Sequence, residues 1–364
     1  MKKERDSGIE LLRIITMLMV IGVHLFLYGK FYDTVWQNDG VSPLLATGIK
    51  LFFRSAVNIF IIISGYFCVT QSFDLNKSFK RIFKLYLPII VYSVAFSIIA
   101  LSIGQEARES LGIFREDLNI ILKMFFPITS QTWYFLTDYI FLMLLSPFIN
   151  IALNGINKKQ YKVLLAILGF ILSVWLMFGN LEFFSAIANK YGHEGLHTGK
   201  NIFSFIFMYI IGGYIKLHCK QNPRPKVRYL LFVLISLLTN CGLSIALDKL
   251  IGYNKIFFVY ANPFVILVAV FMFMFFKDLH FKSRIINLFA STTLGVYAIS
   301  EFWLIRAWLW KTFDFSKGDC SNVLINILMV LLVSVIVFIG CGTIDLLRQK
   351  VFLLIEKLFK NKNN

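Results

Sequence analysis

The sequence is poor in acidic residues and in charged residues of every kind. Only 20 of its 364 residues are Asp or Glu, against 37 Lys and Arg, and charged residues make up 16% of the chain. Soluble domains carry about 25% charged residues. Here 58% of the residues are hydrophobic and the mean hydropathy is +0.72. These values exclude an ordinary soluble protein and predict a chain that crosses a membrane several times.

Cysteine and histidine are also scarce. The five cysteines include no Cys-x-x-Cys pair, so neither a disulfide framework nor a cysteine metal site is indicated. The sequence His193-Glu194-Gly195-Leu196-His197 fits the zinc-peptidase pattern His-Glu-x-x-His. That site needs both histidines on one helical face, and Gly192 and Gly195 disfavour a helix. We therefore expect a loop with two solvated histidines and no metal.

Internal repeats, low-complexity tracts and a soluble domain are absent from the sequence, and positive charge is in excess. The net charge of +17 would indicate a nucleic-acid partner in a soluble protein. Here the basic residues fall in short loops between apolar runs, which is the pattern of membrane topology. We therefore predict a lipid bilayer as the environment and no nucleic-acid partner.

The apolar runs predict an all-α bundle of about ten transmembrane helices, organised as a single domain over residues 1–364. Loops of the predicted cytoplasmic side carry 23 Lys and Arg and the opposite loops carry 10, which places both termini in the cytoplasm. Residues 346–364 are predicted to form an amphipathic basic tail on the inner leaflet. The predicted spans lie near 9–29, 44–70, 85–103, 132–154, 163–179, 201–217, 229–247, 256–276, 288–310 and 322–345.

The first span carries ionisable residues at Glu10, Arg13 and His24. Arg13 and His24 are eleven residues apart, so they share one helical face at a separation of about 16 Å. Charged groups inside a membrane usually face a protein interior or a wet cavity. A plain signal-anchor helix, with a snorkelling arginine and a packed histidine, is the alternative.

Other polar residues map to the same outer half of the membrane as His24. They are Arg54, Asp138 and Glu301, with Arg306 further out. We expect Arg54 to pair with Asp138 or Glu301 around a polar cavity, because unpaired ions are unfavourable in hydrocarbon. Ion pairs that only lock helices together are the alternative. In such a cavity, His24 would be a candidate general base.

The inner end of the second span is followed by a basic stretch that includes Lys77, Lys80, Arg81 and Lys84. It fits the positive-inside pattern, and it also fits a docking site for a ligand with phosphates. Within the spans, Ser64-Gly65 allows close helix packing and Asn262-Pro263 predicts a helix break. Trp133-Tyr134 opens the fourth span, where interfacial aromatic residues are common.

Five motifs in this order resemble membrane acyltransferase family 3, over residues 8 to about 345. Lys84 stands where the family usually has Arg, and Ser300 stands where many members have His, so Glu301 could carry the polar role there. The motifs are Glu10-x-x-Arg13 with His24, Phe60-Ile-Ile-Ile-Ser64-Gly65-Tyr66, Arg81-Ile-Phe-Lys84 before Pro88, Trp133-Tyr134-Phe-Leu136 with Pro147, and Leu294-Gly-Val-Tyr297.

The resemblance implies a cell-membrane enzyme that takes an acyl group, usually acetyl, from cytoplasmic acyl-coenzyme A. The acceptor would be a hydroxyl of an extracytoplasmic surface glycan, with acyl-coenzyme A as a co-substrate and no bound cofactor. His24 would be the general base, Glu301 or Arg54 would orient it or stabilise charge, and Arg13 would help to hold the donor. The predicted catalytic residues are His24, Arg13, Glu10 and Glu301. The predicted donor-binding and substrate-binding residues are Arg81, Lys84, Arg54, Ser64, Trp133, Tyr134 and Asp138.

Two other classes of function stay open at this point. A transporter or flippase for a lipid-linked glycan would also need a charged cavity and broken helices, although the chain has no two-half symmetry. A membrane-embedded sensor would normally carry an output domain. The sequence also leaves open direct transfer or an acyl-enzyme on Ser64, the identity of the acceptor, and whether the chain forms a homo-oligomer.

Overall fold

The computed structural model of the chain describes residues 6–30, 41–130, 132–179, 198–251, 257, 259–314 and 323–362. In this part of the chain all regular secondary structure is helical, which confirms the predicted all-α class. A π-helical segment, Phe170–Trp175, connects α8 and α9. The α-helices are α1 (Ser7–Tyr28), α2 (Val41–Arg54), α3 (Ala56–Cys68), α4 (Leu75–Ser102), α5 (Gly104–Ser110), α6 (Asp117–Phe125), α7 (Tyr134–Asn154), α8 (Lys158–Gly169), α9 (Leu176–Gly179), α10 (Ile202–His218), α11 (Arg228–Ile251), α12 (Pro263–Phe276), α13 (Arg284–Ala290), α14 (Thr293–Ser300), α15 (Trp303–Thr312) and α16 (Val323–Lys362).

Six spans in the described chain are long and apolar enough to cross a membrane: α1, α2–α3, α4, α7, α11 and α16. The helices α13 to α15 make a seventh if they are taken together as one broken span. α10 and α12 are apolar but shorter. The predicted span 163–179 is divided among α8, the π-helical segment and α9. The prediction of about ten spans is thus reached only by counting these shorter pieces, and the orientation stays a prediction.

α1 lies at the centre of the bundle. It contacts α2, α3, α12, α13, α14 and α16. Its N-terminus is capped by Asp6, whose carboxylate accepts a hydrogen bond from the Gly8 N–H at 3.1 Å. Many large apolar side chains on α11 and α16 are instead exposed at the outside of the bundle. This distribution, with a polar stripe inside and apolar residues outside, suits a bundle surrounded by lipid.

α3 and α10 approach each other through two glycines. A Cβ atom on Gly65 would lie 2.1 Å from the Tyr209 carbonyl oxygen, and one on Gly212 would lie 2.2 Å from the Ile62 carbonyl oxygen. Any larger residue would push the two backbones apart. The Ser64-Gly65 sequence therefore serves close helix packing.

The predicted break at Asn262-Pro263 is present. α12 begins at Pro263, and the Asn262 side chain accepts a hydrogen bond from the Phe264 N–H at 2.8 Å. The turn before it carries Tyr260 to the interior of the bundle, where this side chain is 6% exposed. The break thus positions an aromatic residue that the candidate site uses.

A second break, which the sequence pattern did not predict, divides the span 288–310. The helices on its two sides, Arg284–Ser300 and Trp303–Thr312, meet at 87°. Glu301 lies at this bend, where it is 5% exposed. The helix ends next to Glu301 at this bend, and the Glu301 side chain is buried in the bundle.

Residues 346–362 of the predicted amphipathic basic tail belong to the last helix, and the position of this tail on the inner leaflet stays a prediction. α16 continues without a break from the apolar span to Lys362. Forty residues of helix measure about 60 Å at ~1.5 Å per residue, about twice the hydrocarbon thickness. Asp345 lies within it and accepts hydrogen bonds from Tyr92 and Arg348, so the helix is fixed to α4 at this level.

A buried ion pair, Lys277 with Asp278, lies near the start of α1. Lys277 and Asp278 are 2% and 0% exposed, and the Lys277 Nζ lies 2.6 Å from the Asp278 Oδ1. The Asn222 backbone and side-chain amides also donate to the Asp278 carboxylate. Burial acts to raise the pKa of Asp278, but the Lys277 and Asn222 hydrogen bonds outweigh it, so the pKa lies below its usual range.

Candidate active site

One long cavity runs beside α1 and joins the two ends of its polar stripe. Its volume is about 550 Å³. Arg13 and Lys84 line one end, and His24 and Tyr260 line the other. The helix separates Arg13 from His24 by about 16 Å, which is about half the thickness of a bilayer core. The cavity therefore connects a basic end with a histidine end along α1, and both Arg13 and His24 of the polar stripe line it.

His24 and Glu301 form the central pair at one end. The His24 Nδ1 lies 2.6 Å from the Glu301 Oε1, and the two side chains are 15% and 6% exposed. The contact has the length of an ion pair, although the ring and the carboxylate are not aligned as a regular hydrogen bond. The Arg306 Nη1 is 3.9 Å from the other Glu301 oxygen. The fold thus brings His24 next to Glu301, far apart in the sequence, and the orienting role of this carboxylate stays a prediction.

The expected ion pair of Arg54 with Asp138 or Glu301 is not formed among the described residues. The Arg54 guanidinium instead lies 5.1 Å from the centre of the Tyr260 ring, and its Nε is buried without a hydrogen-bond partner. A cation on an aromatic face is stabilised by the ring quadrupole, which explains how Arg54 is accommodated without a carboxylate.

A second cation, Lys200, joins Arg54 at this end. Its Nζ lies 5.1 Å from the Tyr134 ring centre and 5.6 Å from that of Tyr260. Burial lowers the pKa of Lys200, the Arg54 charge lowers it further, and Glu301 opposes the shift. Two cations against the same ring create a positive potential around Tyr260 at this end of the cavity, where an anion would be stabilised.

The opposite end of the cavity is basic. The Arg13 guanidinium pairs with Glu10 at 3.5 Å and remains 32% exposed, and Lys84 is exposed at the cavity mouth. Arg81, one turn before Lys84 on α4, contacts the Cys68 Sγ at 3.8 Å and lines a separate recess of about 160 Å³. The structure thus brings Arg13 and Lys84 to the cavity, while Arg81 lies beside it.

Ser64 lines the cavity, and among the described residues it has no histidine or carboxylate as a hydrogen-bond partner. Its hydroxyl contacts the Phe60 carbonyl oxygen at 3.0 Å and the Tyr139 hydroxyl at 2.9 Å. A serine nucleophile requires a neighbouring base such as histidine. The arrangement gives Ser64 a hydrogen-bonding role and does not activate it.

Four of the predicted binding residues do not line the cavity: Arg54, Arg81, Trp133 and Asp138. Trp133 is 1% exposed and packs on Phe302 with ring centres 5.8 Å apart, so it forms part of the core beneath the site. Asp138 has no ion-pair partner among the described residues and lies outside the cavity lining. Tyr134, by contrast, lines the cavity.

The sequence pattern did not identify several residues of the site. Tyr139, Tyr260 and Tyr297 all line the cavity, and Lys200 lies on the rings of Tyr134 and Tyr260. Tyr297 stands in one of the recognised motifs, which is the signal that could have identified it. Lys200 stands in a loop without any pattern, so only the fold relates it to His24.

Within the described ranges, no group of three or more His, Cys, Asp and Glu side chains is arranged to hold a metal ion. His193 and His197, which carry the zinc-peptidase pattern, lie outside the described residues. The cysteines that the structure describes, Cys68, Cys219, Cys241 and Cys341, are free thiols.

Comparison with known protein families decides the class of this chain. The family model described as "Acyltransferase domain" (Acyl_transf_3) matches residues 6–346, nearly the whole chain. The chain belongs to acyltransferase family 3. Neither the curated proteins nor the solved structures that were compared contain a match. As a family 3 acyltransferase with several membrane-crossing helices, the chain is a membrane-bound acyltransferase, which agrees with the resemblance found in the sequence motifs.

Proposed function

We propose that this acyltransferase transfers an acetyl group from cytoplasmic acetyl-coenzyme A to a hydroxyl of an extracytoplasmic surface glycan, and that it acts in the plasma membrane as one membrane domain. The observation that carries the proposal is the cavity with Arg13 and Lys84 at one end and the His24–Glu301 pair at the other. A donor and an acceptor from opposite sides of the membrane could meet inside it.

The basic end suits the donor. The phosphates of coenzyme A would bind Arg13 and Lys84 at the mouth, with Arg81 adding positive charge one turn away. Glu10 holds the Arg13 guanidinium in place through their 3.5 Å contact. The long, narrow pantetheine arm would then lie in the cavity and carry the thioester towards His24.

The His24 end suits the acceptor chemistry. Because the His24 Nδ1 faces Glu301, the Nε2 is the nitrogen left to take the proton of the acceptor hydroxyl. The hydroxyl oxygen attacks the thioester carbonyl carbon and forms a tetrahedral intermediate with a negatively charged oxygen. The C–S bond then breaks, and the coenzyme A thiolate leaves and takes the proton back from His24.

Positive charge beside the reacting carbonyl would stabilise the intermediate. Arg54 and Lys200 both lie against the Tyr260 ring at this end of the cavity. Preorganised cations aimed at a developing oxyanion lower the barrier without reorganising during the reaction. Among the described residues Ser64 contacts no base, which favours direct transfer from the thioester to the acceptor over an acyl-enzyme.

Membranes that contain the protein, supplied with radiolabelled acetyl-coenzyme A, test the proposal. We expect label in the surface glycan, loss of that label with His24→Ala, and normal labelling with His218→Ala. His218 is a matched control because it packs on Tyr161 and Tyr214, away from the cavity. Glycan labelling at the wild-type rate by His24→Ala would refute the assigned base. Glycan movement across the membrane without label would favour a transporter instead.

The acceptor can be identified in cells. Comparing surface-glycan NMR spectra from a deletion strain and its parent should reveal acetyl signals that only the parent contains, and their positions would name the hydroxyl.

A further inference from the structure

A second cavity opens beyond the His24 end of α1, between the α5–α6 segment and α15. Its volume is about 840 Å³. The aromatic rings of Tyr28, Trp303 and Trp310 form part of its wall. In the described part of the chain, its charged lining residues are five cations and one acid: Lys30, Arg115, Lys123, Arg306, Lys311 and Asp314.

This outer cavity borders the candidate active site. The Arg306 guanidinium lies 4.9 Å from the centre of the Tyr28 ring and 3.9 Å from the Glu301 carboxylate. The Tyr28 ring in turn stacks on the His24 ring at a centroid distance of 5.9 Å. A molecule in the outer cavity would therefore reach His24 past Tyr28 and Arg306.

Three of the lining cations, Arg115, Lys123 and Lys311, have no carboxylate partner among the described residues, and Lys311 donates to the Ser110 carbonyl oxygen. Arg115 lies 5.3 Å from the centre of the Trp303 ring, and Lys123 faces the same cavity from α6. Burial lowers the pKa of Arg115, and the Arg306 charge lowers it further. Burial and the Arg115 charge likewise lower the pKa of Lys123. Among the described residues of the lining, the single acid is Asp314, whose Oδ2 lies 3.1 Å from the Lys30 Nζ.

Cations held together in this way repel one another, and an anion between them would relieve the repulsion. Arginine provides a planar fork for carboxylate or phosphate, and lysine provides a compact charge. The tryptophan rings add flat apolar surface of the kind that lines small-molecule sites. A neutral ligand would gain nothing from the excess positive charge.

We propose that the outer cavity binds the acceptor and that the acceptor is an anionic glycan, with a phosphate or carboxylate close to the hydroxyl that is acylated. This inference rests on the proposed function, since it names the class of its acceptor. In the proposed complex, Arg115 and Lys123 hold the anionic group of the acceptor, and the neighbouring hydroxyl points past Tyr28 to His24.

Binding of defined oligomers to the full-length protein in phosphatidylcholine nanodiscs, without acetyl-coenzyme A, tests the inference. The probes are a polyglycerol phosphate oligomer, an oligogalacturonate and a neutral dextran oligomer of similar length. We expect at least one anionic probe to bind and the dextran not to bind. Binding should weaken with salt, and Arg115→Gln and Lys123→Gln should each weaken it about tenfold or more. Lys159→Gln, an exposed lysine on α8, is the matched control and should bind like the wild type.

Several results would overturn the inference. They are equal binding of dextran and the anionic probes, binding by none of the three, and binding that both charge variants leave unchanged. Loss of probe binding in nanodiscs that also contain phosphatidylglycerol would assign the cavity to an anionic lipid headgroup, which also contradicts a glycan. The labelling experiment with His24→Ala is independent. Acetyl transfer without charge-selective binding would reject this inference alone. Charge-selective binding without acetyl transfer would reject the proposed function alone.

Discussion

Replacing Glu301 with glutamine should slow acyl transfer while leaving donor binding intact. The substitution keeps the size and polarity of the side chain but removes the negative charge 2.6 Å from the His24 Nδ1. In the proposed mechanism His24 becomes positively charged as it takes the acceptor proton. The carboxylate stabilises that charge in the transition state more than in the ground state, so its loss should lower kcat.

The magnitude follows from the separation. Two unit charges 2.6 Å apart interact by about 6 kcal/mol at an effective dielectric constant of 20, and by about 1.6 kcal/mol in water. The pair is nearly buried, so the effect should lie towards the larger value, reduced by the rearrangement of neighbouring dipoles. With about 1.4 kcal/mol for each factor of ten, we expect a loss of roughly 100-fold to 10,000-fold in kcat.

The assay is acetyl transfer by the purified protein in nanodiscs, measured over a range of acetyl-coenzyme A concentrations. The KM for acetyl-coenzyme A should stay within about twofold, because Glu301 lies at the opposite end of the cavity from Arg13 and Lys84. Glu301→Asp, which keeps the charge, should retain much more activity than Glu301→Gln. Thermal unfolding of both variants would show whether they fold alike. A Glu301→Gln protein that is folded and transfers acetyl at the wild-type rate would refute the reasoning.

Three further predictions concern the donor end, the helix packing and the buried ion pair. Lys84→Gln should raise the KM for acetyl-coenzyme A about tenfold with a smaller change in kcat, as measured in the same assay. Gly65→Ala should lower the thermal unfolding temperature because its Cβ would meet backbone at 2.1 Å, whereas Gly242→Ala, with nothing within 4 Å, should not. Asp278→Asn should destabilise the protein by about 3–5 kcal/mol near neutral pH, because it leaves Lys277 buried without its partner.

The destabilisation caused by Asp278→Asn should depend on pH in a defined direction. The folded-state pKa of Asp278 lies below its usual range, so its stabilising contribution is fully present above the unfolded-state value of about 3.9. It is lost as the pH falls through the folded-state pKa. The difference in unfolding temperature between wild type and Asp278→Asn should therefore shrink in acid below about pH 4. A difference that stays constant as the pH falls well below about 4 would contradict the assignment.

The sequence predicted the helical class, the membrane environment and the family from local patterns. Long apolar runs can only be membrane or core helices, and the polar stripe of α1 follows from helical geometry alone. The cavity beside α1 agrees with that stripe, since it is lined by both Arg13 and His24. The sequence did not show how far the last helix extends, because α16 continues from the apolar span to Lys362. Hydropathy registers a fall in apolar character but does not register whether the helix ends there.

What the sequence by itself determined is therefore the chemistry available on each helix: an arginine and a histidine on α1, a basic stretch on α4 and a glutamate near the end of the ninth apolar run. Only the tertiary structure decided which of these groups meet. The 87° bend brings Glu301 to His24, and the turn before α12 places Tyr260 under Arg54 in place of the expected carboxylate. Lys200 joins them from a loop without any pattern. Helical periodicity relates residues within one helix, whereas contacts between helices depend on packing and on breaks that one-dimensional patterns do not contain.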